Sequence, residues 1–160
     1  MQVFLLRHGI AEDAKPGAAD STRALTPEGK RKLKELLRMA RAAGVKPALI
    51  LTSPYRRAVE TAQIAASSLG YRKDLLRTKA LAPASAPKDV WDEIRVHKDA
   101  DSLMLVGHEP LLGQILGYLL DAPTLLVDLK KGALCRLDIV EFGAQPRGVL
   151  KWLVAPKLAG

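Results

Sequence analysis

The chain has little cysteine, few aromatic residues and no long apolar run, and each shortage excludes something. Cys135 is the only cysteine among 160 residues. It permits no internal disulfide and no thiolate metal cluster, so a reducing, cytoplasmic setting is the expectation. Cys135 lies within an apolar run and reads as a core residue, not a nucleophile. Two Phe, two Trp and three Tyr leave few platforms on which bases could stack, which argues against nucleic acid as a ligand. No apolar stretch approaches the ~20 residues that span a bilayer. The first residues have a strand pattern, without the regions of a signal peptide. No membrane partner is expected.

What is present describes an ordinary globular chain: 48% apolar and 26% charged residues. Its length suits one domain, residues 1–160, able to bury about two-thirds of the unfolded surface. The net charge of +8 is concentrated at Lys30, Arg31, Lys32, Lys34, Arg38 and Arg41, all in one predicted helix. Such charge is compatible with a solvated face, an acidic protein partner or a phosphorylated substrate.

Strand and helix patterns alternate along the chain, predicting an α/β sandwich with a mostly parallel sheet. Strands are expected at 2–6, 48–52 and 102–106, with a weaker one at 75–81. Thr26-Pro27-Glu28 caps a helix with its stripe at Leu33, Leu36, Leu37 and Ala40 and its stop at Gly44. Further helices are expected at 55–69, 89–96 and 110–120, the last deeply buried through Leu111, Leu112, Ile115, Leu116, Leu119 and Leu120. Alternation over 133–140 and 149–154 predicts an antiparallel strand pair. The segment 10–25 reads as a polar loop.

Three of these strands end in reactive residues. Val3-Phe4-Leu5-Leu6 runs into Arg7-His8-Gly9, Leu103-Met104-Leu105-Val106 into Gly107-His108-Glu109-Pro110, and Ala48-Leu49-Ile50-Leu51 leads to Ser53-Pro54-Tyr55-Arg56-Arg57. Open α/β sheets bind ligands at the carboxyl ends of their strands. Two histidines and several arginines there imply a pocket for a doubly charged anion, foremost a phosphoryl group. Arg7 and Arg57 suit bidentate contact with phosphate oxygens. His8 is the candidate nucleophile, and His108 a candidate donor to a transferring oxygen. Two alternatives stay open at this point: Arg57 could pair with Glu60, and His108 could cap the next helix. His97, beside Lys98 near a helix end, has no expected catalytic role.

Arg7-His8-Gly9, the segment Ser53–Ala62 and Val106-Gly107-His108-Glu109-Pro110, in that order, resemble the histidine phosphatase superfamily. The opening Met1–Gly9, the segment Asp20-Ser21-Thr22-Arg23-Ala24-Leu25-Thr26 and the short chain are most similar to its bacterial phosphohistidine phosphatase SixA branch. The resemblance implies a phosphoglycerate mutase-like three-layer α/β/α fold without large cap insertions. It also implies that His8 is transiently phosphorylated and that Arg7, Arg57 and His108 complete the phosphate pocket. The family arginine falls on Arg57, leaving Arg56 at the surface. Arg23 matches an arginine of the SixA branch that could contact phosphate or a nearby acid. No metal or other cofactor is implied.

One departure bears on the substrate. Many phosphomonoesterases and mutases of the family carry an acidic residue before a Leu-x-Pro segment, whereas here Ala80 precedes Leu81-Ala82-Pro83. Alkoxide leaving groups need a proton from a general acid more than imidazole does. The expectation is therefore a phosphatase for phosphohistidine on proteins, its basic surface steering an acidic partner. The alternatives are a phosphomonoesterase for small metabolites, with Glu12, Asp13, Asp20 or Glu109 as acid, and a non-catalytic phosphate-binding module. A mutase is least favoured, because it needs a closed site.

Overall fold

The computed structural model describes all residues, Met1–Gly160. In strand β1 (Gln2–Arg7), Val3 and Leu5 face one side of the sheet and Phe4 and Leu6 the other, all four buried. Strand β4 (Ser102–Gly107) repeats this with Leu103 and Leu105 opposite Met104 and Val106. Strands apolar on both faces need a helical layer on each. Helices α1 (Pro27–Ala42) and α2 (Arg56–Leu69) cover the face of Phe4, Leu6, Met104 and Val106. Helices α3 (Pro87–Val96) and α4 (Leu111–Leu119) cover the face of Val3, Leu5, Leu103 and Leu105. The three-layer α/β/α sandwich follows.

The remaining strands are β2 (Leu49–Thr52), β3 (Leu76–Arg77), β5 (Leu134–Phe142) and β6 (Pro146–Val154), and the sheet order is β3-β2-β4-β1-β5-β6. The first four run parallel, β5 runs antiparallel to β1, and β6 runs antiparallel to β5. Both hairpin strands are longer than their alternation implies. In β5 the residues Val140–Phe142 are exposed while the strand still pairs with β6, so the apolar period fades before the pairing does.

Three expectations need correction. The strand expected at 75–81 is only two residues long, at the sheet edge. Thr78 Oγ1 accepts the Ala80 N–H at 3.2 Å and turns the chain into a 3-10 helix at Lys79–Leu81. Helix α3 begins at Pro87, two residues early, where proline fits the first turn and an Asp89 oxygen accepts the Ala86 N–H at 3.0 Å. Helix α4 ends at Leu119, and Leu120, expected to be deeply buried, is only half-buried. No helix is long and apolar enough to cross a membrane.

Helix α1 starts as expected, with Thr26 Oγ1 accepting the Gly29 N–H at 3.0 Å. Its first turn sits directly on the chain leaving Gly9. A Cβ at Gly29 would stand 2.9 Å from the backbone nitrogen of Ile10. Neither backbone can yield easily, so Gly29→Ala is expected to destabilise the fold by about 1–3 kcal/mol in urea unfolding. An unchanged midpoint would show that the helix can shift away from the Gly9–Ile10 segment.

Candidate active site

Strands β1 and β2 both pair with β4, Arg7 beside Gly107 and Thr52 beside Val106. The ladder continues one residue further. The His8 N–H donates to Gly107 O at 3.0 Å, and the Ser53 N–H to Val106 O at 3.0 Å. Backbone pairing thus places His8, Ser53 and His108 side by side at the carboxyl edge of the sheet. Helix α2 opens just beyond Ser53 and brings Arg57 over them.

His8 is buried, with Nδ1 2.7 Å from Gly9 O. A carbonyl only accepts, so Nδ1 carries the proton and Nε2 keeps its lone pair. The Arg57 Nε–H donates to that Nε2 at 3.3 Å, which requires the same tautomer. Arg57 also donates from Nη1 to Asp20 O at 2.9 Å and from Nη2 to Asp20 Oδ2 at 3.0 Å. Its guanidinium carbon lies 5.2 Å from the centre of the Tyr55 ring, a cation–π contact. One residue earlier Arg56 points to solvent and donates to Glu60 Oε1 at 3.0 Å. The Arg57–Glu60 pairing is therefore overturned: successive helical residues face different ways, and Glu60 shares the face of Arg56.

His108 is 2% exposed, and its ring centre is 5.1 Å from that of His8. Its Nε2 lies 2.8 Å from Ser53 Oγ, while Nδ1 is buried without a partner. It is not the cap of α4, since the Gly113 N–H is taken by Glu109 Oε1 at 2.7 Å. Arg7 donates from Nη1 to Leu129 O at 2.7 Å, and its Nε is also buried and unpartnered. These two nitrogens are the only buried side-chain polar atoms in the molecule without a hydrogen bond.

The structure brings Arg7, His8, Arg57 and His108 together. Arg23 joins only indirectly, donating from Nε to Asp20 Oδ1 at 2.8 Å and from Nη1 to Glu12 O at 3.1 Å. Sequence reasoning missed three supports. Ser53 meets His108, Tyr55 lies against both His108 and Arg57, and Thr61 Oγ1 accepts the Gly9 N–H at 3.2 Å while donating to Arg57 O at 2.7 Å. All three lie in the segment carrying Arg57; the usable signal for Thr61 was its place one turn after Arg57. His97 ends α3 and meets Glu93 at 3.3 Å, away from the site. Burial pushes the Cys135 thiol up to about 12, in keeping with a core residue. No cluster of His, Cys, Asp or Glu could hold a metal ion.

Burial dominates the electrostatics. Desolvation, then the charges of Arg57, Arg7 and Lys131, push His8 down to about 4, against the pull of its bond to Gly9 O. Desolvation and the neighbouring His8 and Arg57 push His108 down to about 3. Both imidazoles are neutral at neutral pH. The four acid candidates differ. Partial desolvation raises Glu109, whereas hydrogen bonds from Arg57 and Arg23 overcome desolvation and hold Asp20 below the usual carboxylate range. Glu12 and Asp13 are exposed.

Because the unfolded histidines protonate near ~6.5, the unfolded chain binds more protons than the native one between that pH and about 4. The stability owed to neutral His8 is complete above pH ~6.5 and is lost as pH falls through about 4. The His8 ring protons are accordingly expected to titrate by NMR with a midpoint near 4, and His8→Gln to flatten the fall in urea midpoint below pH ~6.5. A His8 midpoint at the ordinary imidazole value would contradict this reading of the pocket.

Residues 3–82 match the family model of the histidine phosphatase superfamily (branch 1). An uncharacterised protein of a Picosynechococcus species is 35% identical over 115 residues, 71% of this chain and 70% of its own. The solved structure of the protein histidine phosphatase SixA with tungstate superposes at a TM-score of 0.85, with 23% identity and 99% of each chain covered. A mycobacterial glucosyl-3-phosphoglycerate phosphatase shares the fold at a TM-score of 0.67, with 18% identity over 94% of this chain and 96% of its own. The matched half contains the Arg7-His8-Gly9 turn and Arg57, and the sheet adds His108 from outside it: the chain belongs to the histidine phosphatase superfamily.

Proposed function

We propose that the protein hydrolyses phosphohistidine on proteins through a covalent phosphohistidine intermediate on His8. The observation that carries this reading is the pair of unpartnered buried nitrogens, Arg7 Nε and His108 Nδ1, in the same site as a neutral His8 whose Nε2 carries no proton and accepts from Arg57. Buried polar atoms are nearly always satisfied. A phosphoryl group at His8 would accept hydrogen bonds from both.

The proton inventory supports the same chemistry. Nε2 of neutral His8 attacks phosphorus, a new P–N bond forms, and the P–N bond to the substrate histidine breaks. A substrate imidazole protonated on its other nitrogen leaves neutral. His8 becomes a phosphorylated imidazolium whose Nδ1–H stays on Gly9 O. Water then attacks phosphorus, the His8 P–N bond breaks, its electron pair returns to Nε2, and the proton shed by water passes to phosphate or solvent. With Ser53 Oγ–H donating to His108 Nε2, the His108 Nδ1–H points its proton at a transferring oxygen. Arg7 and Arg57 carry the charge of the phosphoryl oxygens.

No step of this transfer between two imidazoles needs a carboxylic acid. That suits a site where Ala80 stands in the family's acid position, Asp20 is held as a carboxylate by Arg57 and Arg23, and Glu109 is bonded to the start of α4. A cavity of about 430 Å³ lined by Glu109, Pro110, Gly113, Tyr118, Leu125 and Val127 adjoins the site through Glu109, the residue after His108. The net charge of +8 favours encounter with an acidic partner.

Turnover of a phosphohistidine-bearing protein and of para-nitrophenyl phosphate, by wild type and His8→Ala, tests the reading. We expect the first substrate to be turned over at least ~100-fold faster, the size of effect that a missing general acid produces, and the variant to be inactive on it. Preference for the ester would assign the site to small phosphomonoesters. Phosphate binding with no turnover of either substrate would leave a binding module.

A further inference from the structure

The loop 128–133 between α4 and β5 is tied to the site by three hydrogen bonds. Arg7 Nη1 donates to Leu129 O at 2.7 Å, the Arg7 N–H to Ala133 O at 3.0 Å, and the Gly132 N–H to His8 O at 3.0 Å. The Ala133 N–H closes on Lys130 O at 2.9 Å, so Lys131 and Gly132 are the central pair of a four-residue turn. Gly132 has φ 77°, as the third residue of a type II turn requires. Lys131 is therefore fixed immediately before the residue that holds the backbone carbonyl of the proposed nucleophile.

Two adjacent lysines differ in their surroundings. Lys130 is spent on Asp128 at 2.6 Å, whereas Lys131 is exposed and makes no ion pair. The guanidinium groups at the site are partly committed, Arg57 to Asp20 and Arg7 to Leu129 O. A free ammonium carried on this turn would offer three more donors to a dianion held at His8. Its charge already acts on the His8 ring together with those of Arg57 and Arg7.

We propose that Lys131 is a further phosphoryl-binding residue, its ammonium taking a non-bridging oxygen of the group transferred to His8. The proposal rests on the reading of His8 as phosphoryl acceptor. It lies outside the segment that carries the family match, which ends at residue 82.

Calorimetric binding of inorganic phosphate to wild type, Lys131→Met, Lys131→Arg and Lys130→Met tests it, alongside steady-state turnover. Lys131→Met is expected to weaken phosphate binding about tenfold at low salt and to raise KM more than it lowers kcat. Lys131→Arg restores most of the affinity, and Lys130→Met stays within about twofold of wild type. The difference shrinks as salt screens the exposed ammonium. Phosphate affinity of a folded Lys131→Met within about twofold of wild type would overturn the proposal, as would absence of phosphate binding by wild type. Phosphate binding does not depend on which phosphorylated substrate is hydrolysed. Weakened binding in Lys131→Met with no phosphohistidine turnover by wild type would sink only the substrate assignment. Normal turnover by wild type with unchanged binding in Lys131→Met would sink only the role of Lys131.

Discussion

Parallel pairing of β1 and β2 with the central strand β4 sets where the chemistry can happen. The hydrogen-bond ladder runs one residue past each strand, to His8 and Ser53, and hands their backbones to Gly107 and Val106. The two imidazoles then stand 5.1 Å apart. Three further ties lock the arrangement: Thr61 to Gly9, Arg57 to His8, and the turn at Gly132 to the His8 carbonyl. A shift of register would separate the histidines and strand a buried arginine. The register of the sheet is thus also what holds the site.

The same burial sets the charge state. An exposed imidazole beside three cations would still titrate near neutrality part of the time. Desolvation carries His8 far below that range, so the lone pair on Nε2 is available throughout the neutral region. Arg57 both guards and opposes this lone pair, donating to it while Asp20 occupies the other side of the guanidinium. An incoming phosphoryl group competes for Arg57 with a carboxylate and a carbonyl. Charge supplied elsewhere, from Arg7 and from Lys131, favours the exchange.

The sequence made the strand ends legible because their signal is local: an apolar run that stops at Arg7-His8-Gly9 or at Gly107-His108-Glu109. Choosing Arg57 over Arg56 needed the family pattern, and helical geometry then explains why only one of the two turns inward. The contacts of Asp20 were not legible. They depend on how the polar segment 10–25 folds back, and no periodicity governs such a segment. Of the two contacts open to Arg23, a phosphate or a nearby acid, the structure shows the acid, Asp20. Strand β3 was overread because Leu75 and Leu76 at one end of the segment and Leu81 at the other suggest a strand throughout, whereas Thr78 turns the chain between them. Lys131 carried no signal at all, because its importance lies in a turn whose neighbour bonds a residue 124 positions earlier in the chain.

Phosphoryl transfer to His8 Nε2 is the central claim, and trapping the enzyme during turnover tests it most directly. The protein is mixed with a phosphohistidine substrate, quenched in alkali, and digested for mass spectrometry. A phosphoryl group is expected on the peptide containing His8, attached through Nε2, and none in His8→Ala. A phosphoryl group found on another residue, or full activity with no phosphorylated enzyme at any time, would contradict it.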